Sequence, residues 1–288
     1  MYLKNLKGTG LICSLDVPMR RFSLFLSAVL ALSASAITVG RPRSLRVCSW
    51  NPLSLSGERL EEADRLFAED RLDLVGLSGT QKKASPTRPV RQIKTKGGFI
   101  VEAGWREGRD TNRSAGVSLW LGKTFLKAKI KQVQVPPAHL AGRGLALRVQ
   151  SGNQDLQIIV AYFPPRPPPL LRTMANYERA VSSLLTWIIQ VLAATPSRCM
   201  PIVMTDLNSP LKQRMDIDSV GPLSSKLTSF AGIEMAEAMH QLNMIALNTF
   251  KGTGDNTYYG DKNSYHIDFI FVPKATLAAT ERVQMFGD

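Results

Sequence analysis

Short strand-like apolar runs fill most of the chain, and longer stretches with helical spacing separate only some of them. Because the runs come in pairs, they favour two mixed β-sheets face to face over one strictly alternating parallel sheet. The prediction is an α/β fold, a four-layered α/β/β/α sandwich with helices flanking both sheets. The strand-like runs are 45–50, 72–77, 99–101, 115–121, 128–135, 145–149, 156–162, 201–208, 258–260 and 267–272. The helical stretches are 58–70, 170–194 and 230–243, and the basic, turn-rich residues 82–98 are predicted to form a solvated loop.

The run Pro201–Asn208 ends in residues that can carry chemistry. An apolar stretch leads directly into Asp206, and Asn208 follows two positions later. If the backbone stays extended, the side chains of Asp206 and Asn208 share one face at the mouth of a strand. A carboxylate there can hold a hard cation or take a proton from water, and an amide can donate to a phosphate oxygen. The alternative is an ordinary strand end followed by a turn.

The composition adds a preference for anionic partners. The 288 residues carry a formal net charge of +13, and most of it lies beyond residue 40. Nucleic acid, an acidic membrane surface or phosphorylated small molecules fit such a surface, and charge that serves only solubility is the alternative. The three cysteines indicate neither a disulfide framework nor metal-ligand spacing.

Residues 19–36 have the pattern of a leader. Met19-Arg20-Arg21 is a basic start, residues 22–32 are an apolar run, and Ala34-Ser35-Ala36 is a small-residue cleavage pattern. The run is too short for a comfortable membrane span. We therefore expect residues 1–40 to be a leader or signal-like segment. It is either a cleaved signal peptide or, if uncleaved, a hydrophobic N-terminal anchor or an extension that plays no part in the fold. The domain itself is expected to open at Ser44 and to extend over 44–288.

Five short motifs follow one another in the order of a known family. They are Ser49-Trp50-Asn51, Leu77-Ser78-Gly79-Thr80, Tyr162-Phe163-Pro164-Pro165, Thr205-Asp206-Leu207-Asn208 and Ile267-Asp268-Phe269-Ile270. The family closes with Ser-Asp-His, and the last residues here are Phe286-Gly287-Asp288. With them, the chain from about Ser44 resembles the endonuclease/exonuclease/phosphatase superfamily. Within that superfamily it most resembles the apurinic-type endonuclease domains of LINE-like retrotransposons.

The resemblance implies hydrolysis of a phosphodiester, in DNA or another substrate, with Mg²⁺ or Mn²⁺ as cofactor. Asp206 would orient or deprotonate the attacking water, and Asn208 would donate to the phosphate. Asn51 would help to order the carboxylates beside the metal, and the Tyr162 hydroxyl would donate to the scissile phosphate. Asp268 would hold the ring N–H of a catalytic histidine.

Two positions depart from the family pattern. Gly79 stands where the family has its main metal-binding glutamate, and the closing histidine is absent after Asp288, which would be the acidic residue on the metal side. His266 is an alternative occupant of the histidine's place, although an ordinary strand histidine is the simpler interpretation. Other acids that could in principle supply a metal ligand, with nothing in their spacing to select one, are Asp73, Glu102 and Asp110.

Three functional hypotheses therefore stand side by side. The first is a Mg²⁺-dependent DNA endonuclease of retrotransposon type, with a degenerate site and a nuclear location. The second is a catalytically inactive remnant that binds nucleic acid. The third is a phosphodiesterase or phosphatase of the same superfamily that enters the secretory pathway through the leader.

Overall fold

The structure is a computed structural model that describes residues 9–16 and 44–285, apart from 56, 86, 108–113, 153, 169–170, 253, 255 and 260–263. The described residues form strands β1 Thr9–Asp16, β2 Ser44–Asn51, β3 Leu74–Ser78, β4 Val90–Lys94, β5 Gly98–Ala103, β6 Val117–Gly122, β7 Lys129–Gln134, β8 Gly144–Ser151, β9 Gln154–Tyr162, β10 Met200–Asp206, β11 Met244–Ala246, β12 Tyr258–Tyr259, β13 Ser264–Tyr265, β14 Asp268–Pro273 and β15 Thr280–Met285. The helices are α1 Gly57–Glu69, α2 Leu171–Ala193, α3 Phe230–Gln241 and α4 Asn248–Lys251.

Two large sheets organise these strands. One has seven strands in the order β15-β1-β2-β3-β6-β5-β4, and the other has six in the order β11-β14-β10-β9-β8-β7. Both sheets are mixed, because β2 and β3 run parallel, as do β9 and β10, while the other paired neighbours are antiparallel. β12 and β13 form a separate two-stranded ribbon.

Alternation along the strands builds three apolar layers. Val47 of β2 and Met204 of β10 share the core between the sheets. Val203 of β10 faces the other way and packs with α2 and α3, while Trp50 of β2 packs with α1. This arrangement confirms the predicted sandwich of two mixed sheets flanked by helices. Apolar residues at helical spacing on α2 are buried in the layer beneath it, and they include Tyr177, Leu184, Leu185, Ile188 and Leu192.

The strand register brings chemistry-bearing residues to one edge of the sandwich, here called the cleft edge. Asp206 at the end of β10 lies opposite Tyr162 at the end of β9 and opposite Asp268 at the start of β14. Asn51 ends β2 in the facing sheet. Residues far apart in the sequence therefore meet because their strands terminate together.

Strand β4 lies inside the segment that the sequence predicts to be a loop. It is the outer strand of the seven-stranded sheet, and Arg91, Gln92 and Lys94 are exposed while Val90 and Ile93 are only half-buried. A strand with one free edge and little burial shows no clear apolar alternation, so its periodic signal is weak.

Strand β1 corrects the predicted start of the domain at Ser44. Residues 9–16 belong to the segment that was expected to have no part in the fold, but they pair along the whole of β2, from Thr9 opposite Asn51 to Asp16 opposite Ser44. The other edge of β1 pairs with β15. Backbone hydrogen bonds on both edges hold this strand in the sheet, and such bonds leave little trace in the sequence. The leader-like residues 19–36 lie outside the described part of the chain.

Among the described residues, no helix combines the length and the apolar character that crossing a lipid bilayer requires.

Candidate active site

Asp206 is the centre of the cleft edge. Its side chain is 2% exposed. One carboxylate oxygen accepts a 2.6 Å hydrogen bond from the Asn51 side-chain amide, and the other accepts a 3.0 Å bond from the Asn208 backbone N–H. Burial raises the pKa of Asp206 to about 6, against the lowering effect of these two bonds and of the Arg143 charge. The carboxylate is therefore held as a hydrogen-bond acceptor with an increased affinity for a proton.

Asp268 lies beside Asp206 and is 1% exposed. Burial raises the pKa of Asp268 well above its usual value, the negative charge of Asp206 adds to the rise, and a hydrogen bond with the Thr257 hydroxyl lowers it. Asp268 Oδ1 has no hydrogen-bond partner among the described residues. Two buried carboxyl groups side by side, one with an unsatisfied oxygen, are stabilised by a shared proton or by a cation.

Arg143 is a residue of this site that the sequence analysis missed. It is 8% exposed, its guanidinium lies 5.5 Å from the centre of the Tyr162 ring, and its Nη1 donates to the Tyr162 carbonyl at 3.2 Å. Burial lowers the pKa of Arg143, while Tyr162 and Asp206 act in the opposite direction. The available signal was an arginine between Gly142 and Gly144, immediately before a buried strand.

The expectation that Asp206 and Asn208 project side by side from an extended strand is wrong. Strand β10 ends at Asp206, and Asn208 adopts a left-handed backbone conformation with φ of 49°. This turn aims the Asn208 backbone N–H at Asp206, while the side-chain amide donates to the Phe163 carbonyl at 2.9 Å. Asn208 thus acts on Asp206 through its backbone, as the turn alternative suggested.

Gly79 lies so close to the Asn51 side chain that a side chain at position 79 would collide with it. Gly79 has φ of +65°, and a Cβ added there would lie 2.6 Å from Asn51 Oδ1. The same Oδ1 accepts a 2.9 Å hydrogen bond from the Leu53 backbone N–H. The missing side chain at position 79 therefore gives Asn51 the room to reach Asp206.

Replacing Gly79 with alanine is expected to lower the free energy of unfolding by about 1–3 kcal/mol, because the new Cβ meets both a left-handed backbone and the Asn51 amide. Gly152→Ala is the matched control, since Gly152 has φ of +57° but open space around its Cβ position. Urea denaturation compares the two. An equal loss at both glycines contradicts the contact between Gly79 and Asn51.

The loops that follow β2 and β3 are tied together at the cleft edge. Gln81 donates from its side chain to the Leu53 carbonyl at 2.6 Å, and the Leu55 backbone N–H donates to the Thr80 carbonyl at 3.2 Å. Leu53 and Gln81 are both left-handed, with φ of 57° and 58°. Left-handed residues other than glycine cost about 1–2 kcal/mol each, so these bonds hold a strained pair of loops beside Asn51.

Leu53→Gly tests this strain. Because glycine accepts positive φ, we expect the free energy of unfolding to stay unchanged or to rise by up to about 1 kcal/mol. Leu126 is a control of equal exposure (51% against 53%) with an ordinary φ of −59°, and Leu126→Gly is expected to lose about 1 kcal/mol. A similar loss for both variants in chemical denaturation rules out a strained Leu53.

His266 does not occupy the place beside Asp268 that the resemblance assigns to a catalytic histidine. Its ring stacks on Phe269 with the centroids 4.9 Å apart, and its Nε2 pairs with the Asn248 side-chain amide. Phe269 packs against the helices, on the face of β14 opposite to Asp268. The simpler interpretation of His266, a buried strand-end histidine, fits this position.

The other acids considered as metal ligands lie elsewhere. Asp73 is at the opposite end of the sheet, before β3, and Glu102 pairs with Arg91 at 2.7 Å. Asp110 and Asp288 lie outside the described residues. Strand β15 does end at the cleft edge, because Met285 lies opposite Leu11, which lies opposite Ser49.

The donors at the cleft edge fit a divalent cation only together with a substrate phosphate. The described residues contain no group of three His, Cys, Asp or Glu side chains that could hold a metal. Asp206, Asp268 with its unsatisfied oxygen, and the Asn51 carbonyl are the oxygen donors present. Mg²⁺ often binds through one or two carboxylates plus phosphate and water, and this set meets that minimum.

Comparison with solved structures identifies the fold. The AP endonuclease LMAP from Leishmania major superimposes with a TM-score of 0.53 at 14% identity, over 79% of this chain and 78% of that chain. The exonuclease/phosphatase fold is the fold of this chain. The 3′ phosphatase NExo from Neisseria, bound to a product DNA hairpin, matches with a TM-score of 0.50 at 14% identity, over 78% of this chain and 85% of that chain.

The endonuclease domain of TRAS1, a telomere-specific non-LTR retrotransposon, also matches, at 15% identity over 81% of this chain and 86% of that chain. The TM-score of this match is 0.45. No family model and no curated protein matches the chain. The resemblance found in the sequence is confirmed as a likeness of fold.

Proposed function

We propose that this chain is a Mg²⁺-dependent phosphodiester hydrolase that acts on DNA, of the retrotransposon-endonuclease type, with a metal site that is complete only when substrate is bound. The observation that carries the proposal is the bonded unit of Asn51, Asp206 and Asn208 with Asp268 at its side. The two carboxyl groups are buried at strand ends, and half-buried Asn51 reaches Asp206 from the facing sheet. Burial of two acids side by side is costly unless they are paired or bind a cation, so this arrangement is typical of a functional site.

Each residue has a task that its contacts allow. Asp206, with its raised pKa and fixed orientation, accepts the proton of the attacking water. Asn51 holds the carboxylate in place, and Arg143 and Tyr162 provide positive charge and a hydroxyl on the neighbouring strand. Asp206, Asp268 and the Asn51 carbonyl would hold the cation. When bound, Mg²⁺ neutralises charge on the phosphate oxygens.

The DNA assignment rests on charge and on the neighbours of this fold. A net charge of +13 favours a polyanionic partner whose binding weakens as salt is added. NExo, of similar fold, has been captured with a DNA product. A basic protein of this fold is expected to bind the phosphates of the DNA backbone before it cleaves one of them.

A second candidate is a catalytically inactive DNA-binding protein of the same fold. Gly79 favours it, because this position offers no carboxylate and its space is taken by the Asn51 amide. Loss of a partner of a metal ligand commonly costs about 10–100-fold in affinity or activity, and loss of a ligand costs more. Both candidates bind DNA, but only the hydrolase cleaves it.

A nicking assay on supercoiled plasmid distinguishes the hydrolase from the inactive DNA-binding protein. The hydrolase nicks plasmid with Mg²⁺ or Mn²⁺, stops when chelator is added, and needs high metal concentration because its donor set is small. The inactive protein retains salt-sensitive DNA binding and leaves the plasmid intact at every metal concentration. Failure to bind DNA at low salt contradicts both candidates and directs the search to small phosphoesters.

A further inference from the structure

A polar cavity lies far from the cleft edge. It has a volume of about 480 Å³ and is lined by Arg46 at the start of β2, Arg71 after α1, and Lys123 and Thr124 after β6. Arg46 and Asn51 are five residues apart on one strand, a separation of about 17 Å at 3.3 Å per residue. The cavity is therefore distinct from the candidate active site.

The charge of its lining is strongly positive. Arg46, Arg71 and Lys123 stand against a single carboxylate, Asp73. None of the three cations has an ion-pair partner within the described part of the chain. The charge of Arg46 also lowers the pKa of Asp70, although burial raises that pKa by more. Three neighbouring cations without ion pairs repel one another, so an anion between them is stabilising.

Asp73 is engaged in holding the cavity together. One of its oxygens accepts a 3.0 Å bond from the Arg46 backbone N–H, and the other accepts a 2.6 Å bond from the Thr124 hydroxyl. These bonds join the start of β2 to the segment after β6 and use the Arg46 backbone, so the Arg46 guanidinium makes no ion pair with Asp73. Asp73 thus holds two segments of the cavity wall together, and Arg46, Arg71 and Lys123 line the cavity.

The apolar part of the lining is fixed by a second buried acid. The Trp120 indole N–H donates to Asp64 at 2.6 Å, and the Gly97 backbone N–H donates to the same carboxylate at 2.8 Å. A Cβ at Gly97 would lie 2.7 Å from Asp64 Oδ1, so this approach requires glycine. Trp120 and Leu72 then form a rigid apolar base below the three cations.

We propose that this cavity is a binding site for a phosphate group, held by Arg46, Arg71 and Lys123 through charge-assisted hydrogen bonds. Guanidinium groups match the geometry of phosphate oxygens, and a volume of this size admits a small phosphate ester. The phosphate can belong to a free small molecule or to a nucleic acid backbone. The proposal stands independently of the hydrolase function, since it uses none of the residues at the cleft edge.

Isothermal titration with sodium pyrophosphate and with a short dT oligonucleotide tests the site. We expect pyrophosphate to bind, and Arg46→Gln, Arg71→Gln or Lys123→Gln each to weaken binding about 5–10-fold. Lys226→Gln, an exposed cation on another loop, is the matched control and should leave affinity unchanged. The Trp120 indole N–H signal should shift on titration.

Asp206→Asn keeps the cavity intact and should bind pyrophosphate normally, so loss of cleavage and loss of this site are separate outcomes. Binding of the oligonucleotide alone, weakened by the same three variants, supports the phosphate site and assigns its source to nucleic acid. The proposal is overturned if neither probe binds, or if Lys226→Gln weakens binding as much as the three cavity variants do.

Discussion

Asp206→Asn is expected to lower the rate of plasmid nicking by at least about 100-fold while DNA binding is retained. Asparagine keeps the shape and the acceptor oxygen that the Asn208 N–H uses, but it cannot take a proton, and its neutral oxygen is a weaker cation ligand than a carboxylate. Its amide also opposes the Asn51 amide as donor against donor, so a moderate loss of stability is expected as well.

The reciprocal double variant, Asn51→Asp with Asp206→Asn, separates these effects. It restores one donor and one acceptor across the 2.6 Å contact but moves the charge to the other sheet. Thermal unfolding should return toward the wild-type value while nicking stays low. Recovery of nicking in the double variant, or an unchanged rate in Asp206→Asn, contradicts the role of Asp206 as proton acceptor.

Asp268→Asn is expected to make the metal-free protein more stable at pH 8 by a few kcal/mol and to change it little at pH 4.5. Both buried carboxyl groups have raised pKa values in the fold, Asp206 at about 6 and Asp268 well above its usual value. Their contribution to stability is complete below the unfolded pKa near 4 and is lost as pH rises through the folded pKa values. For Asp206 alone, the rise from 3.8 to about 6 corresponds to about 3 kcal/mol.

Urea denaturation across this pH range, with chelator present, measures the effect. Asp155→Asn is a control of opposite sign, because the hydrogen bond from Arg148 holds the pKa of Asp155 below its usual value. That variant should be less stable than wild type at pH 8, and the difference should shrink as pH falls. If the stability of the wild type does not fall above pH 6, or if Asp268→Asn does not reduce that fall, then Asp206 and Asp268 do not form a coupled pair.

The strand ends were the most predictable part of this molecule. Asn51, Tyr162 and Asp206 each end a strand, and Asp268 begins a strand that runs antiparallel to the strand of Asp206, so all four lie at one edge of the facing sheets. The two-sheet fold could be predicted for the same reason, since burial on both faces leaves long apolar runs in the sequence.

The parts that escaped prediction depend on backbone geometry and on distant contacts. Asn208 follows a strand without a break in its pattern, and only its left-handed φ turns the side chain to Phe163. Arg143 is buried because Tyr162 lies beside it, which no local pattern shows. Strand β1 is fixed by backbone bonds to β2 and β15, and these carry little side-chain signal.

The central claim is that Asp206 and Asp268 form one buried, coupled pair that takes either a proton or a cation. Carbon-13 NMR of the aspartate carboxyl groups, titrated with and without Mg²⁺ and a non-cleavable oligonucleotide, tests it directly. We predict two coupled titrations, that of Asp206 near pH 6 and that of Asp268 well above the usual aspartate value, both moving to lower pH when Mg²⁺ and oligonucleotide are added together. Two independent titrations near pH 4 that do not change when Mg²⁺ and oligonucleotide are added would contradict the coupled pair.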